Sequence, residues 1–594
     1  MLAALFLVAA TVTFVRAAVA PAEVWQKVVA PQFTLYSSAK GADALRAAED
    51  FQQFIGALGE IVPLDSRSLP PLTIVMFGNE SSFRPFRPRR PNGKPWDVAG
   101  FFSRQEGWAV FGLTGTRLDD EVRRTVLHEG VHWYLSGFEL PNPPWLEEGL
   151  AEVFSTFMVA KHRREWGQPI GEHVRVLRAS KAMPLERLLG VSRADPLFNE
   201  VERTGLFYAE SWAFVHFLLF GEHNKERTLF NEYLKAFRIG IAPDKAFKTV
   251  FGADFATMDR ALEKYLDSGR YFVGSRAVSS AASGLKVERA GDVEREIALA
   301  RLAIGAQRLE LAQEHVVAAV GAGPETAAVS EVKGYLADAR GDVAEMLASF
   351  AEAAKRGSKD YQVYFGPAQR RLQTAEGLDG SLALAPAEAR QIADGYERTI
   401  ELRPWFLPAY QGLARVQESL AREDRRDRAS LDSGWRQFPG DGLIRLGLAA
   451  TAHRNSVDQE AERWLDQVLA QPEKYPASVT GYARQMAERW AFDSDYGPVQ
   501  ILLEARRYSA ALVALDALFA KGVPVANRSA IAVTRANIVA GLEMEQAQAA
   551  WDESRWSAAR TLLEAVVASR IQTGVQYEAR RRLAELDRRH LGRE

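Results

Sequence analysis

The sequence predicts an α+β domain followed by an all-α helical array, and three observations carry that prediction. At 594 residues the chain is too long for one core, so more than one folding unit is expected. Up to about residue 275, short β-branched and aromatic runs alternate with amphipathic stretches. From about Glu288 onward the chain is almost uniformly Ala, Leu, Arg and Glu at helical spacing, cut every fifteen or so residues by Gly, Pro or Asp.

Taken in order, residues 1–20 come first, with an apolar run from Leu2 to Phe14 and then the small residues Ala17, Ala18 and Ala20. That run has the length of a signal-peptide core and is short of a bilayer span. It predicts an exported protein, periplasmic or secreted, whose leader is either cleaved or kept as an N-terminal membrane anchor. No later stretch is apolar enough to span a membrane.

Residues 21–118 read as the α/β part of the first domain. Strands are expected at Phe33–Ser38, at Leu72–Gly78, and in the pair around "VAGFFS" and "GWAVFGL", which flank Arg104–Glu106. Ala44, Ala48, Phe51 and Ile55 put a helix between the first two. The stretch Pro85–Trp96 is basic and rich in proline, and reads equally as a flap over a cleft or an exposed linker.

Residues 119–275 read as the helical part of that domain, and 285–594 as helical repeats. In the latter, Gly334, Phe350 and Ala353 fall in the relative phase of the small and large positions of tetratricopeptide repeats. Tyr396, Pro404, Tyr410 and Leu413 do the same, and Tyr508, Ala511 and Leu515 are echoed by Trp556, Ala559 and Leu563. Such an array normally offers a protein-binding surface, so a protein partner is expected there; a plain scaffold or dimerisation arm is the other reading.

Composition narrows the chemistry. The 74 basic and 76 acidic side chains nearly cancel, with no long run of one sign, so nucleic acid is not expected as a partner. The chain has no cysteine, which excludes a disulfide framework, a thiol nucleophile and a thiolate metal site. Any metal must be held by His, Asp or Glu.

The stretch "TVLHEGVHWYL", Thr125 to Leu135, supplies two of those ligands. On a helix, residues four apart stand one above the other, so His128 and His132 aim at a common point. Glu129 lies about 100° around from His128, where it can reach a water at the metal without ligating the metal. Asp119 and Asp120 fit the helix start. A catalytic zinc takes three protein ligands and leaves one position open. The following "LPNPPWLEEGLAEVFSTF" opens a second helix at Pro143 and Pro144, and Glu148 fits as third ligand. Glu152, one turn on, can accept the free ring N–H of His128. Glu147 points elsewhere, as a solvated charge. A structural metal site is the poorer reading, because its fourth ligand is commonly Cys.

These residues resemble the gluzincin metallopeptidases, with their thermolysin-like catalytic domain: His128-Glu129-Gly130-Val131-His132, then Trp145-Leu146-Glu147-Glu148-Gly149-Leu150-Ala151-Glu152. In that family the third ligand is the Glu before Gly, here Glu148. The Gly-x-Met-Glu-Asn segment by which the aminopeptidase group anchors an amino terminus is absent, so the resemblance implies an endopeptidase, similar to exported bacterial peptidase MA-like proteins that join such a domain to tetratricopeptide repeats. In "LFYAESWAFVHFLLF" the resemblance implies that Tyr208 stabilises the oxyanion; its other reading is one apolar helix face with Trp212, Val215 and Leu219. His216 reads as a core histidine.

The implied chemistry is metal-assisted peptide hydrolysis with one zinc ion per chain, Glu129 as general base and Tyr208 as oxyanion donor. Cobalt or manganese also suit such a ligand set. Trp108, Ala109 and Val110 are expected to form an edge strand to which a peptide or protein substrate adds its backbone, with Gly107 and Gly112 allowing close approach. The alternative is a catalytically idle peptidase-like domain serving as a protein-binding scaffold.

Overall fold

The computed structural model describes residues 23–590 apart from 65–67, 91, 106, 115–119, 139–141, 196, 198–200, 222–224, 239–240, 242, 280–283, 378–379, 422–425, 524–526 and 569–574. The expected leader at 1–20 and the expected cap at Asp119 lie outside the described residues. The elements group into two compact units, one ending at Gly440 and the other beginning at Asp441.

The first unit opens with β1 (Gln26–Val29), β2 (Phe33–Ser37), α1 (Gly41–Ile61), β3 (Leu72–Phe77), α2 (Glu80–Phe83), β4 (Gly100–Gln105) and β5 (Trp108–Thr114). The four expected strands and the expected helix are therefore present. A further strand, β9 (Val287–Arg289), completes a six-stranded mixed sheet in the order β4-β5-β3-β2-β1-β9. Strand β3 runs parallel to both neighbours, β2 and β5, and the other pairs are antiparallel.

Side chains alternate across a strand, and here both faces are covered. Leu72, Ile74, Met76, Ala109, Phe111 and Leu113 turn to one core, with Phe51 and Phe54 of α1. Val75, Phe77, Trp108 and Val110 turn to a second core. The first core continues into α3 (Asp120–Leu135), α4 (Pro144–Ser155) and, beyond a small sheet of β6 (Met158–Ala160), β7 (Arg163–Trp166) and β8 (Gly274–Ala277), into α5 (Gly171–Ala179), α6 (Leu185–Leu189), α7 (Val201–Phe220), α8 (Lys225–Arg238), α9 (Pro243–Phe251) and α10 (Phe255–Ser268).

The second core is filled by α11 (Asp292–Gly305), α12 (Leu309–Ala322), α13 (Ala327–Ala339), α14 (Val343–Lys355) and the start of α15 (Gln362–Ala375). The expected boundary near residue 285 is thus not a boundary between independent cores. Gly112 and Gly107 carry the correction further. A Cβ on Gly112 would stand 2.6 Å from Leu302 of α11, and one on Gly107 would run into the Gln362 side chain, so both glycines admit the helices rather than a substrate. Three helices, at Pro386–Leu402, Leu407–Arg415 and Arg428–Gln437, complete the unit.

The second unit is wholly helical among its described residues, with helices at Gly442–Arg454, Asp458–Leu469, Ala477–Glu504, Tyr508–Lys521, Arg528–Asp552, Trp556–Ala568 and Gln576–His590. Most of the phased residues lie inside: Gly334, Phe350, Ala353, Tyr396, Tyr410 and Leu413 are buried in the first unit and Ala511, Leu515, Ala559 and Leu563 in the second, while Pro404, Tyr508 and Trp556 are half-buried. Breaks between helices coincide with caps, as where Thr326, Asp342 and Asp441 accept from the amides of Val329, Glu345 and Ile444. No helix among the described residues is long and apolar enough to cross a membrane.

Candidate metal centre

Helix α3 is fixed by its buried side before its other side does any chemistry. Val131, Trp133 and Leu135 are buried, Trp133 Nε1 donates to the Pro70 carbonyl at 3.0 Å, and the Tyr134 hydroxyl donates to the Val62 carbonyl at 2.9 Å. Gly130, between the histidines, lets α1 come close: a Cβ there would stand 3.0 Å from the Phe54 ring. Helix α4 begins with Pro143 as cap and Pro144 in its first turn, where a missing N–H costs nothing. Trp145, Leu146, Leu150 and Phe154 are wholly buried and hold it in the core.

Between these helices three donors converge. His128 Nε2 lies 3.2 Å from His132 Nε2, and each lies 3.4 Å from Glu148 Oε2. One ligand atom from each residue falls within 4.8 Å of the others, so the group can hold a metal ion. The donors fit that role. Glu148 is 5% exposed, and its Oε2 is buried with no hydrogen-bond partner, an arrangement that is costly unless something in the site satisfies it.

The histidines and carboxylates shift each other's protonation strongly. Burial opposes charge on His128, but the carboxylates of Glu148 and Glu152 outweigh it and raise its pKa to about 10. Burial likewise opposes charge on Glu148, yet His128 and His132 hold its pKa down to about 2. A divalent cation would take the place of protons between these groups.

Glu152 stands where the second helix was expected to place it, with Oε1 3.4 Å from His128 Nδ1. Burial pushes its pKa up, and His128 and His173 bring it down to about 2. Tyr208 of α7 has its ring centroid 6.4 Å from that of His128. Burial, then the negative charges of Glu148, Glu152 and Glu129, raise its hydroxyl pKa well above the usual value, so it remains a proton donor. Glycine again permits the approach. A Cβ on Gly149 would collide with the backbone carbonyl of Ser211 in α7.

Glu129 is half-buried and opens onto a cavity of about 330 Å³ that also takes in Phe101 and Phe102 of β4, Phe111 of β5 and Val126 of α3. Arg87 and Asp97 form part of its lining. The stem of the proline-rich stretch is thus fastened beside the cavity: Phe86 is buried, and Arg87 pairs with Glu80 at 2.8 Å and Asp97 at 3.1 Å.

Several expectations are corrected here. Trp108, Ala109 and Val110 do not form an edge, because β5 lies between β3 and β4, and they are 2%, 0% and 0% exposed. The edge strands of the sheet are β4 and β9, and β4 is the one beside β5. Glu147 is not a solvated charge, since it pairs with Arg193 and is largely covered. His216 is the core histidine it was read as, its ring nitrogens 2.9 Å from the Tyr265 hydroxyl and from the Gly167 carbonyl.

Two residues of the cluster were missed. His173 of α5 places Nε2 3.1 Å from Glu152 Oε2, and Arg124 NH2 stands 3.8 Å from the same oxygen. Arg124 was legible in principle, one turn before His128 on the same helix face. Nothing local marks His173; only the fold brings α5 to α4. Compared with known proteins, this chain matches no family model, and no curated protein matches its sequence.

Proposed function

We propose that the chain is a zinc-dependent peptidase of the gluzincin type, an endopeptidase resembling the exported bacterial peptidase MA-like proteins. It would work outside the cytoplasm, and its tetratricopeptide-like helices would bind a protein partner or substrate. The observation that carries this reading is the convergence of His128 Nε2, His132 Nε2 and the buried Glu148 Oε2, with Glu129 following His128 on the same helix. Three protein donors leave a zinc coordination position open for chemistry.

Zinc bound there supplies Lewis acidity to water and to the scissile carbonyl. Glu129 takes the proton from the attacking water and returns it to the leaving amine. Tyr208, kept protonated, donates to the oxygen on which negative charge develops. Glu152 holds His128 in the tautomer that turns Nε2 to the metal. The free edge of β4 offers backbone groups to an extended peptide, and the cavity between Phe101, Phe102 and Phe111 offers room for an apolar side chain next to Glu129.

The test is metal content of the purified protein and of Glu129→Gln, with both assayed on unfolded casein. One zinc per chain in each, with cleavage by the wild type alone and a loss of roughly 10²- to 10⁴-fold in the variant, is the expected outcome. Zinc in both with cleavage in neither would favour the idle, scaffold reading. No stoichiometric metal after zinc is supplied would end the proposal.

A further inference from the structure

The arrangement behind the ligands contains more than the Glu152 carboxylate. Glu152 divides its two oxygens between different neighbours. Oε1 faces His128 Nδ1 at 3.4 Å, while Oε2 faces His173 Nε2 at 3.1 Å and Arg124 NH2 at 3.8 Å. His173 comes from a third helix, α5, and its ring lies against that of the buried Trp212 with centroids 5.9 Å apart. Its Nε2 is buried, and the Glu152 carboxylate at 3.1 Å is the charged group facing it.

A carboxylate on a flexible side chain can rotate about its last bond, and a single contact to His128 leaves that rotation free. Two cationic or donor groups on the far oxygen remove the freedom. They also come from two other helices, Arg124 from α3 and His173 from α5, so the contact is set by the packing of three elements. The oxygen left for His128 is then fixed in direction, and with it the imidazole plane that aims Nε2 at Glu148 and His132. Outer partners of this kind typically change metal affinity by 10- to 100-fold.

We propose that His173 and Arg124 are positioning residues for the metal centre, acting through Glu152 to orient His128. The inference rests on the metal-binding reading above, though not on peptidase activity. Both residues touch Glu152 and neither is a ligand.

The test is the zinc dissociation constant of the full-length protein, measured by competition with a chromogenic chelator, beside the thermal midpoint of the metal-free forms. His173→Ala is expected to weaken zinc roughly tenfold or more while leaving the metal-free midpoint near that of the wild type. His173→Gln, whose amide nitrogen can reach the place of Nε2, is expected to restore most of the affinity. Arg124→Gln, at a half-buried helix position, tests the second contact and is expected to weaken zinc to a smaller extent. Wild-type affinity in both His173→Ala and Arg124→Gln would overturn the proposal. So would an Ala variant that loses zinc only in proportion to a fallen metal-free midpoint, with no recovery in His173→Gln and no effect of Arg124→Gln. A wild type that binds zinc but cleaves nothing would sink the peptidase reading and leave this one standing on its affinities, whereas a wild type that binds none would overturn both.

Discussion

A single carboxyl group can report how far burial controls protons in this protein. Glu210 on α7 is 2% exposed and accepts a hydrogen bond from the Met183 amide at 2.6 Å. Burial raises its pKa, the amide partly offsets this, and Asp259 adds to the rise, for a value of about 7 against an ordinary 4.5. The folded chain therefore holds a proton there that the unfolded chain releases. The stabilisation is complete below pH 4.5 and is lost as pH rises through 7. Glu210→Gln is expected to remove a pH dependence of about 3 kcal/mol between pH 4.5 and 8, read from urea unfolding of both proteins across that range. The hydroxyl of Tyr208 makes a second prediction at this scale. On the proposed peptidase reading, Tyr208→Phe should lower kcat by about 10²-fold with KM little changed, in steady-state cleavage of a peptide, because the proposed bond would form fully only as charge develops. An equal fall in stability and activity would instead support the plain apolar face.

Among the elements, the contact between α4 and α7 decides whether Glu148 and Tyr208 share one site. Only a glycine at 149 lets the α4 backbone approach the Ser211 carbonyl so closely. Gly149→Ala gains about 1 kcal/mol of helix propensity. Overpacking against backbone typically costs about 1–3 kcal/mol, and a carbonyl cannot rotate aside as a side chain does. A net destabilisation of roughly 1–2 kcal/mol is expected, with weaker zinc binding, as seen in thermal unfolding and metal titration. A similar close fit joins β5 to α11 through Gly112 and Leu302. Strand β5 therefore serves the joint between sheet and helices, while the edge on that side of the sheet is β4. That exchange is the main correction to the sequence reading.

At the scale of the whole molecule, the sheet needs helices from both sides of residue 285. Val75, Phe77, Trp108 and Val110 would face water without α11 to α15. Residues 23–285 alone are expected to be poorly soluble and to lack a cooperative unfolding transition. Residues 23–440, which contain both cores, are expected to unfold cooperatively and to bind one zinc, as checked by circular dichroism and metal analysis. A soluble, cooperatively folded 23–285 would show that the second core is dispensable. Burial on this scale outweighs any single ion pair on the surface.

By itself the sequence determined what depends on local spacing. The i, i+4 histidines, the glutamate between them and the proline-opened second helix were legible because the helix period dictates which side chains share a face, and the strands were legible from their β-branched and aromatic content and the turn residues between them. The phase of buried residues in the helical region was legible for the same reason. Tertiary structure alone decided strand order, since the apolar pattern of β5 is the same whether a neighbour or a substrate lies beside it. It also decided that α11 to α15 cover the sheet, and that His173 reaches Glu152 from another helix. Those facts depend on contacts between residues far apart in the chain, which a local period does not record.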